Sequence, residues 1–262
     1  MSHKTMIDGV AYEISGGKTL VNGTAYSIDK GKTLIGGTAY EVGFGSYNPV
    51  FANNTWEQII SACQNNEVPD AWVVGNTKNM AVDGTNYKID IIGKNHDTYS
   101  DGSGTAPLTF QFNACYGTAY EMNSSATNAG GYGVTNMHAT HLPAILALMP
   151  SEVQSAIKQV NKKSSKGSNS SIIETIQCKL FLLAEIEIFG SVSKSYDGEG
   201  SQYEYYSAGN SAVKKLSYSA KAWWTRSPQA SSTSSFCQVT KTGTASRYSS
   251  TSKYGVAPAF CF

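Results

Sequence analysis

Four histidines, five cysteines and a few close-set acids are the side chains of this 262-residue chain with chemistry beyond packing. His138 and His141 stand three apart, a spacing that puts both on one face of a helix and makes them candidate metal ligands. No third ligand stands at a recognisable spacing and the pattern is not His-Glu-x-x-His, so core or capping histidines are the preferred reading and no metal is expected. From Asp97 to Asp101 and Ser103, side-chain oxygens alternate as in a calcium loop. The closing bidentate Glu is missing, which leaves calcium beside an ordinary Asx turn as alternative readings. Asp197 and Glu199, followed by Tyr203, Glu204, Tyr205 and Tyr206, form the densest carboxylate and aromatic cluster; packing of a long loop is preferred there over stacking on a sugar. The five cysteines (Cys63, Cys115, Cys178, Cys237, Cys261) are odd in number, far apart and without a Cys-x-x-Cys pair. That predicts buried free thiols, not zinc or disulfides. No Gly-x-Ser-x-Gly elbow, phosphate loop or dinucleotide fingerprint occurs, and an enzyme is not expected.

Binding chemistry is better represented. A stiff frame closes the chain: Trp223-Trp224-Thr225-Arg226-Ser227-Pro228, then Phe236-Cys237, then Gly255 to Phe262. Inside it, residues 230–253 hold eight Ser and five Thr, so the anchors are dictated by packing while the residues between them are free to be small and polar. Trp223, Trp224 and Phe260 are the expected scaffold, and Arg226 is expected to satisfy a buried carboxylate or loop carbonyls. The candidate ligand-binding residues are Thr225, Gln229, Ser231, Ser232, Thr233 and Ser235, then Gln238, Thr240, Lys241, Thr242 and Thr244, and finally Ser246, Arg247, Tyr248, Ser250, Ser252 and Tyr254. The plain reading is the outer face of an antiparallel sheet with Phe236, Val239 and Val256 turned inward. The functional reading adds that the exposed residues form one contiguous face. Tyr248, Tyr254, Arg247 and Lys241 are its strongest contacts, because Tyr and Arg give much contact for little lost freedom.

The elements that must carry these residues fall into two parts, 1–45 and 46–262. Three gapless 14-residue repeats open the chain, Lys4–Ile14, Lys18–Ile28 and Lys32–Val42, each a strand, a two-residue turn (Asp8-Gly9, Asn22-Gly23, Gly36-Gly37) and a second strand. A six-stranded β-hairpin meander is expected, serving as an anchor or assembly element or as a sheet packed on the main domain. Met80–Ile89 reads as a fourth, degenerate copy or as an ordinary hairpin. Residues 43–54 read as a linker. Helices are predicted at Trp56–Cys63, capped by Thr55, at Asn136–Leu148 with Pro143 kinking it or starting its main segment, and at Ser151–Asn161, capped by Ser151. Strands are predicted at Trp72–Val74, Tyr87–Ile92, Leu108–Phe112 and Lys179–Phe189. Loops are predicted at Asn123–Gly133, Lys162–Ser171 and Ser191–Asn210, with strands and turns beyond. Two or more helices amid short mixed strands indicate an α+β domain.

Composition is permissive: 40% hydrophobic, 15% charged, net charge +1. No acid follows Glu204 while Lys214, Lys215, Lys221, Arg226, Lys241, Arg247 and Lys253 do, so the C-terminal region is locally basic. No nucleic-acid module is present, no apolar run approaches a membrane span, and the first residues lack the apolar core of a secretory signal. Synthesis in the cytoplasm is expected.

The closing Trp-Trp-x-Arg-Ser-Pro, Phe-Cys-x-Val and Gly-Val-x-Pro-Ala-Phe resemble an uncharacterised domain of Firmicutes prophages and surface proteins. Asn95-His96-Asp97, Leu148-Met149-Pro150, Leu180 to Gly190 and Gln202 to Tyr206 extend the resemblance over about Val73–Phe262. The repeats look like arrays in phage structural proteins. The domain is in turn similar to C-type-lectin-fold variable proteins of diversity-generating retroelements. The resemblance implies a C-type-lectin-like fold and a phage receptor-binding or bacterial adhesion protein on a virion tail or cell surface. Its expected ligand is a surface protein or glycan, and its repeats would serve homo-oligomer or virion assembly. It also implies substitution at adenines across 225–254. Gln229, Gln238, Lys241 and Lys253 cannot arise from Asn codons in that way. The calcium signatures of sugar-binding lectins are absent. Formylglycine-generating oxidases share the fold and supply the enzyme alternative; they use close-set cysteines, whereas Cys237 and Cys261 are far apart.

Overall fold

Each 14-residue repeat folds on itself. β1 (His3–Ile7) pairs with β2 (Val10–Ile14), β3 (Lys18–Val21) with β4 (Thr24–Ser27), and β5 (Gly31–Ile35) with β6 (Thr38–Val42), all antiparallel. The structure, a computed structural model, describes the backbone of these six strands and all of residues 47–262. Among the described residues the strands form three separate two-stranded sheets and no six-stranded meander. Pairing within a repeat joins segments close in sequence, whereas pairing between repeats depends on longer connections. The predicted turn residues lie outside the described ones. Residues Met1–Asn48 form one compact unit and Pro49–Phe262 a second.

In the second unit, Thr55 sets the first helix, α1 (Trp56–Gln64). Its hydroxyl accepts the Gln58 N–H at 3.2 Å while Gln58 Oε1 accepts the Thr55 N–H at 2.8 Å, a reciprocal cap. Trp56, Ile59, Ile60 and Cys63 recur at helical spacing and are buried. Asp83 and Gly84, with φ of 50° and 71°, make the tight turn between β7 (Thr77–Val82) and β8 (Thr85–Lys94). The Met80–Ile89 segment is therefore the hairpin of the main unit. β9 (Leu108–Phe112) is buried throughout. A π-helical turn at Met137–His141 runs into α2 (Leu142–Leu146), whose first turn holds Pro143, and α3 (Ser151–Ala156) follows. β10 (Val160–Gly167) and β11 (Ser170–Cys178) make a hairpin, with α4 (Glu185–Phe189) and α5 (Glu204–Ser207) beyond it. The chain closes with β12 (Lys214–Leu216), β13 (Ser219–Lys221), β14 (Trp223–Pro228), β15 (Ser235–Val239), β16 (Ala245–Ser249) and β17 (Ala259–Cys261).

Two antiparallel sheets organise this unit, a four-stranded one in the order β17-β9-β8-β7 and a three-stranded one in the order β14-β15-β16. With few helices and several small antiparallel sheets, the fold is mixed α+β. The aromatic core gathers on the first sheet, where Phe110 lies 5.4 Å from Phe260, 5.3 Å from Phe262 and 5.9 Å from Trp56, ring centre to ring centre. No helix among the described residues is long and apolar enough to cross a membrane.

Several local expectations are corrected. Phe51, in the expected linker, is buried against Trp72 at 5.3 Å, so the main unit already begins there. Trp72–Val74 is turn and irregular chain; its apolar character serves the Trp72 ring in the core, not a ladder. The 151–161 helix stops at Ala156 because β10 takes over from Val160, and Pro150, not Ser151, precedes it. Lys162–Ser171 is strand and hairpin turn, with Lys162 and Ser164 facing inward and Lys163 and Lys166 outward. Lys179–Phe189 is no strand. Phe181 makes one bridge to Ala259, and α4 then forms because Glu187 Oε2 accepts the Ala184 N–H at its start. The 191–210 loop contains α5.

Candidate functional site

β14 is the floor of the region picked out by sequence. All six of its residues are buried, and Trp224 pairs with Gln238 while Pro228 pairs with Phe236. Three residues on β14 thus oppose one on β15, a bulge that turns Thr225, Arg226 and Ser227 out of the ladder. The Thr225 hydroxyl donates to the Cys237 carbonyl at 3.0 Å, and Ser227 Oγ accepts the Glu185 N–H at 2.9 Å. Arg226, 0% exposed, donates to both Glu187 oxygens (2.5 and 2.7 Å) and to the carbonyls of Lys163, Leu182 and Glu199. The expected role of Arg226 is therefore filled by a carboxylate and carbonyls together. Trp223, Trp224 and Phe260 are wholly buried, as scaffold residues must be.

Charge balance holds this floor in place. Lys162 Nζ lies 2.6 Å from Asp97 Oδ1 and 2.8 Å from Glu187 Oε1, and the Tyr203 hydroxyl sits 2.8 Å from Asp97 Oδ2. Burial alone would raise the Asp97 carboxyl. The Lys162 charge and hydrogen bonds from Lys162 and Thr109 outweigh it and hold the group at about 2. Glu187 is likewise pushed up by burial but held low by Arg226 and Lys162. Two neighbouring carboxylates can stay ionised in the interior only because each meets a cation at hydrogen-bond distance.

The seventeen candidate ligand residues do not share one face. Thr225 and Ser250 have no exposed surface; the Ser250 hydroxyl donates to the Ser125 carbonyl and accepts the Thr127 N–H, tying down the 123–133 loop. They are structural, and Gln229, Ser235 and Gln238 are buried as well. Thr240, Thr242 and Thr244 share hydroxyl contacts of 2.8 to 2.9 Å at one end of the β15–β16 hairpin, beside exposed Lys241. Ser231, Ser232 and Thr233 lie at the other end, beyond the full length of β15, where Asn128 Nδ2 binds the Ser232 and Ser235 carbonyls. Ser252 is half-buried in the turn after β16.

Register divides the rest. Phe236 pairs with Tyr248 and Gln238 with Ser246, so these four share one side of the sheet. Arg247 opposes Cys237 and points to the other side. The expectation that Arg247 and Tyr248 share a face fails because strand neighbours alternate. The basic bias shrinks too, since Lys214 and Arg226 are interior.

On the Tyr248 side a coherent cluster forms. Tyr248, 51% exposed, meets Tyr254 edge-on at 5.3 Å, and Tyr254 meets Trp224 at 5.0 Å. Tyr254 bridges backbone to backbone with Tyr120, whose ring stacks on His141 at 4.3 Å. Glu121 lies beside them, 3.7 Å from His141 Nε2 and 3.8 Å from Lys253 Nζ. Burial lowers the His141 imidazole and raises the Tyr254 phenol, so near neutral pH one is uncharged and the other an O–H donor. Three buried polar atoms here, Glu121 Oε2, His141 Nε2 and Gln238 Oε1, make no hydrogen bond. A surface of aromatic rings with polar atoms left unsatisfied among them can hold a ligand that has both an apolar face and hydrogen-bonding groups. Sequence spacing does not join Tyr120, Glu121 and His141 to Tyr248, because they stand over 100 residues before it; His141 enters from sequence only as a candidate metal ligand.

The remaining candidates resolve locally. His138 packs on Tyr132 at 5.1 Å, separate from the His141 stack on Tyr120, and no group of three or more His, Cys, Asp and Glu among the described residues could hold a metal. Asp97 is spent on Lys162, while exposed Asp101 accepts from Ser103 in an Asx turn, so the two carboxylates do not form a calcium loop. Tyr203 and Tyr206 are buried, which is the packing expected of that loop. All five cysteines are free and buried, and burial pushes the Cys63 and Cys178 thiols up to about 12. A family model described as "Domain of unknown function (DUF6273)" matches residues 109–262, more than half of the chain. No curated protein and no solved structure matches it.

Proposed function

The chain belongs to the DUF6273 family, which brings no activity with it, and from the site we propose that the protein is a ligand-binding display protein. The observation that carries this reading is the Tyr248–Tyr254–Tyr120–His141 surface with three unsatisfied polar atoms among its rings. The recognition face is centred there and draws on Ser246, Tyr248 and Tyr254 from the C-terminal region, with Glu121, His141 and Lys253 around them. Its partner is a surface protein or glycan, and its setting a phage tail or bacterial surface, where the N-terminal repeats act in anchoring or assembly.

A C-type-lectin-like fold with retroelement-driven variation suits this reading. Two of the four positions that adenine substitution cannot reach from Asn codons, Gln229 and Gln238, are buried at 6% exposure. A variable surface needs its framework kept out of the variation, and Gln229, which takes no part in the proposed face, belongs to the framework.

The test is binding of the labelled full chain to a panel of intact bacterial cells. Tyr248→Ala is expected to weaken cell binding at least tenfold with the thermal midpoint shifted by under about 2 °C, since only one half-exposed ring is lost. Arg247→Ala, on the opposite side, is expected to bind like the parent. Equal losses in both variants would overturn the assignment of the face. Binding by no cell type would favour a purely structural virion or surface protein.

A further inference from the structure

A cleft of about 370 Å³ shares no lining residue with the proposed face and is independent of it. Its walls include His96, Asp97, Lys162, Glu187 and Glu199, with Gly198 and Gly200 on either side of the last. That volume lies within the range of small-molecule sites. Three carboxylates meet here, Asp97, Glu187 and Glu199, against two interior cations, Lys162 and Arg226. Lys162 is taken by Asp97 and Glu187, and the Arg226 guanidinium by Glu187 and backbone carbonyls.

Glu199 is the carboxylate left over. It is 0% exposed; its Oε1 accepts the Ser165 N–H at 2.8 Å, while Oε2 has only the neutral Ser227 hydroxyl near it, outside hydrogen-bond geometry. A buried carboxylate oxygen without a partner is costly, so its ionised form calls for a cationic donor. The neighbours do not provide one. His96 stacks on Tyr203 at 3.9 Å and burial keeps it from charging, the Lys163 side chain runs out to solvent, and Ser227 offers only a neutral hydroxyl. No metal-binding set of acids, His and Cys exists among the described residues, which favours an N–H donor over a metal ion.

We propose that this cleft binds a small primary ammonium group, whose charge is met by Glu199 Oε2 and whose remaining N–H bonds are directed at His96 and the cleft rim. Gly200, at φ 142°, lets the chain pass close over the network; a Cβ there would sit 2.8 Å from Glu187 Oε1.

Burial raises the Glu199 carboxyl to about 7, helped by Glu187 and opposed by Ser227, Ser165 and Arg226. Its ionised fraction, and with it the affinity for an amine that stays protonated, is expected to rise about tenfold between pH 6 and pH 8. The experiment is a titration of the ¹⁵N-labelled full chain with ethylammonium chloride, with sodium chloride holding the ionic strength constant. Saturable shifts of the Gly198 and Gly200 amides are expected at pH 8, about tenfold weaker binding at pH 6, and none in Glu199→Gln, whose amide oxygen still accepts from Ser165. Three outcomes would overturn the proposal: no saturable shift at pH 8, an affinity independent of pH, or equal shifts with sodium alone. The first two need only the unaltered protein, so they stand even if the variant does not fold.

Discussion

Arg226 ties separate segments of the main unit together through one buried side chain. Its guanidinium closes two hydrogen bonds on Glu187 and three on carbonyls from three separate segments. Arg226→Met would leave a buried carboxylate half-paired and those carbonyls bare, and we expect it to lose about 3–5 kcal/mol in urea unfolding. Replacing Glu187 as well, in Arg226→Met/Glu187→Leu, should recover part of that loss, because an apolar pair strands no charge on either side. Recovery of nothing would mean that the carbonyl contacts, not the ion pair, carry the effect.

Short elements with strong local stops set the geometry around the floor. α4 is a single turn and a half, begun by Glu187 and ended by Gly190 in the left-handed conformation at φ 70°. A Cβ on Gly190 would sit 2.6 Å from Gln202 Oε1, and Gln202 itself donates to the Ile188 carbonyl at 3.0 Å. Gly190→Ala is therefore expected to cost about 1–2 kcal/mol from the backbone alone, more with the clash. Adding Gln202→Ala should relieve only the clash, and urea midpoints of the single and double variants separate the two contributions. The β14 bulge is the other decisive element. It turns Thr225, Arg226 and Ser227 out of a strand whose neighbours Trp223 and Trp224 still pair regularly.

Across the whole molecule, buried ionisable groups give stability a definite dependence on pH. Asp97 is held near 2 against a usual 3.8, so its contribution is present above the usual value and is lost as pH falls through about 2. Glu199 has the opposite sign. Raised from 4.5 to about 7, it favours the folded state while protonated, and that advantage disappears as pH rises from 4.5 to 7. Burial also lowers Lys214 from 10.5 to about 8, where it donates to the Phe112 carbonyl at 2.7 Å. Its burden is heaviest below pH 8 and lifts as pH climbs toward 10.5. Burial lowers the His96, His138 and His141 imidazoles, which adds stability as pH rises toward 6.5. The Glu199 contribution is therefore read by difference: between pH 4.5 and 7 the urea midpoint of Glu199→Gln should climb relative to that of the unaltered protein. At pH 8 the variant should be the more stable by roughly 2–3 kcal/mol; an unchanged difference between the two would remove Glu199 as a source of the pH dependence.

Sequence alone determined what local chemistry determines. The 14-residue repeat, the Thr55 cap, the Leu108–Phe112 strand, the burial of Trp223, Trp224 and Phe260, and the need of Arg226 for oxygen partners all follow from residue types at short spacing. In each case the deciding interaction lies within a few residues or in the nature of one side chain. Where it failed, the deciding partner was remote. Lys162–Ser171 looked like a solvated basic loop because nothing nearby reveals Asp97 and Glu187, the acids that let Lys162 go inside. Lys179–Phe189 reads as a strand because its apolar run is shared by buried helices and strands, and the Glu187 cap that chose a helix is also a tertiary ligand of Arg226. The candidate face was legible as a composition but not as a surface. Only the register of β15 against β16 parted Arg247 from Tyr248, and only long-range packing brought Tyr120, Glu121 and His141 beside Tyr248 and Tyr254. A pleat fixes alternation, but which side meets which neighbour is decided when the sheets pack.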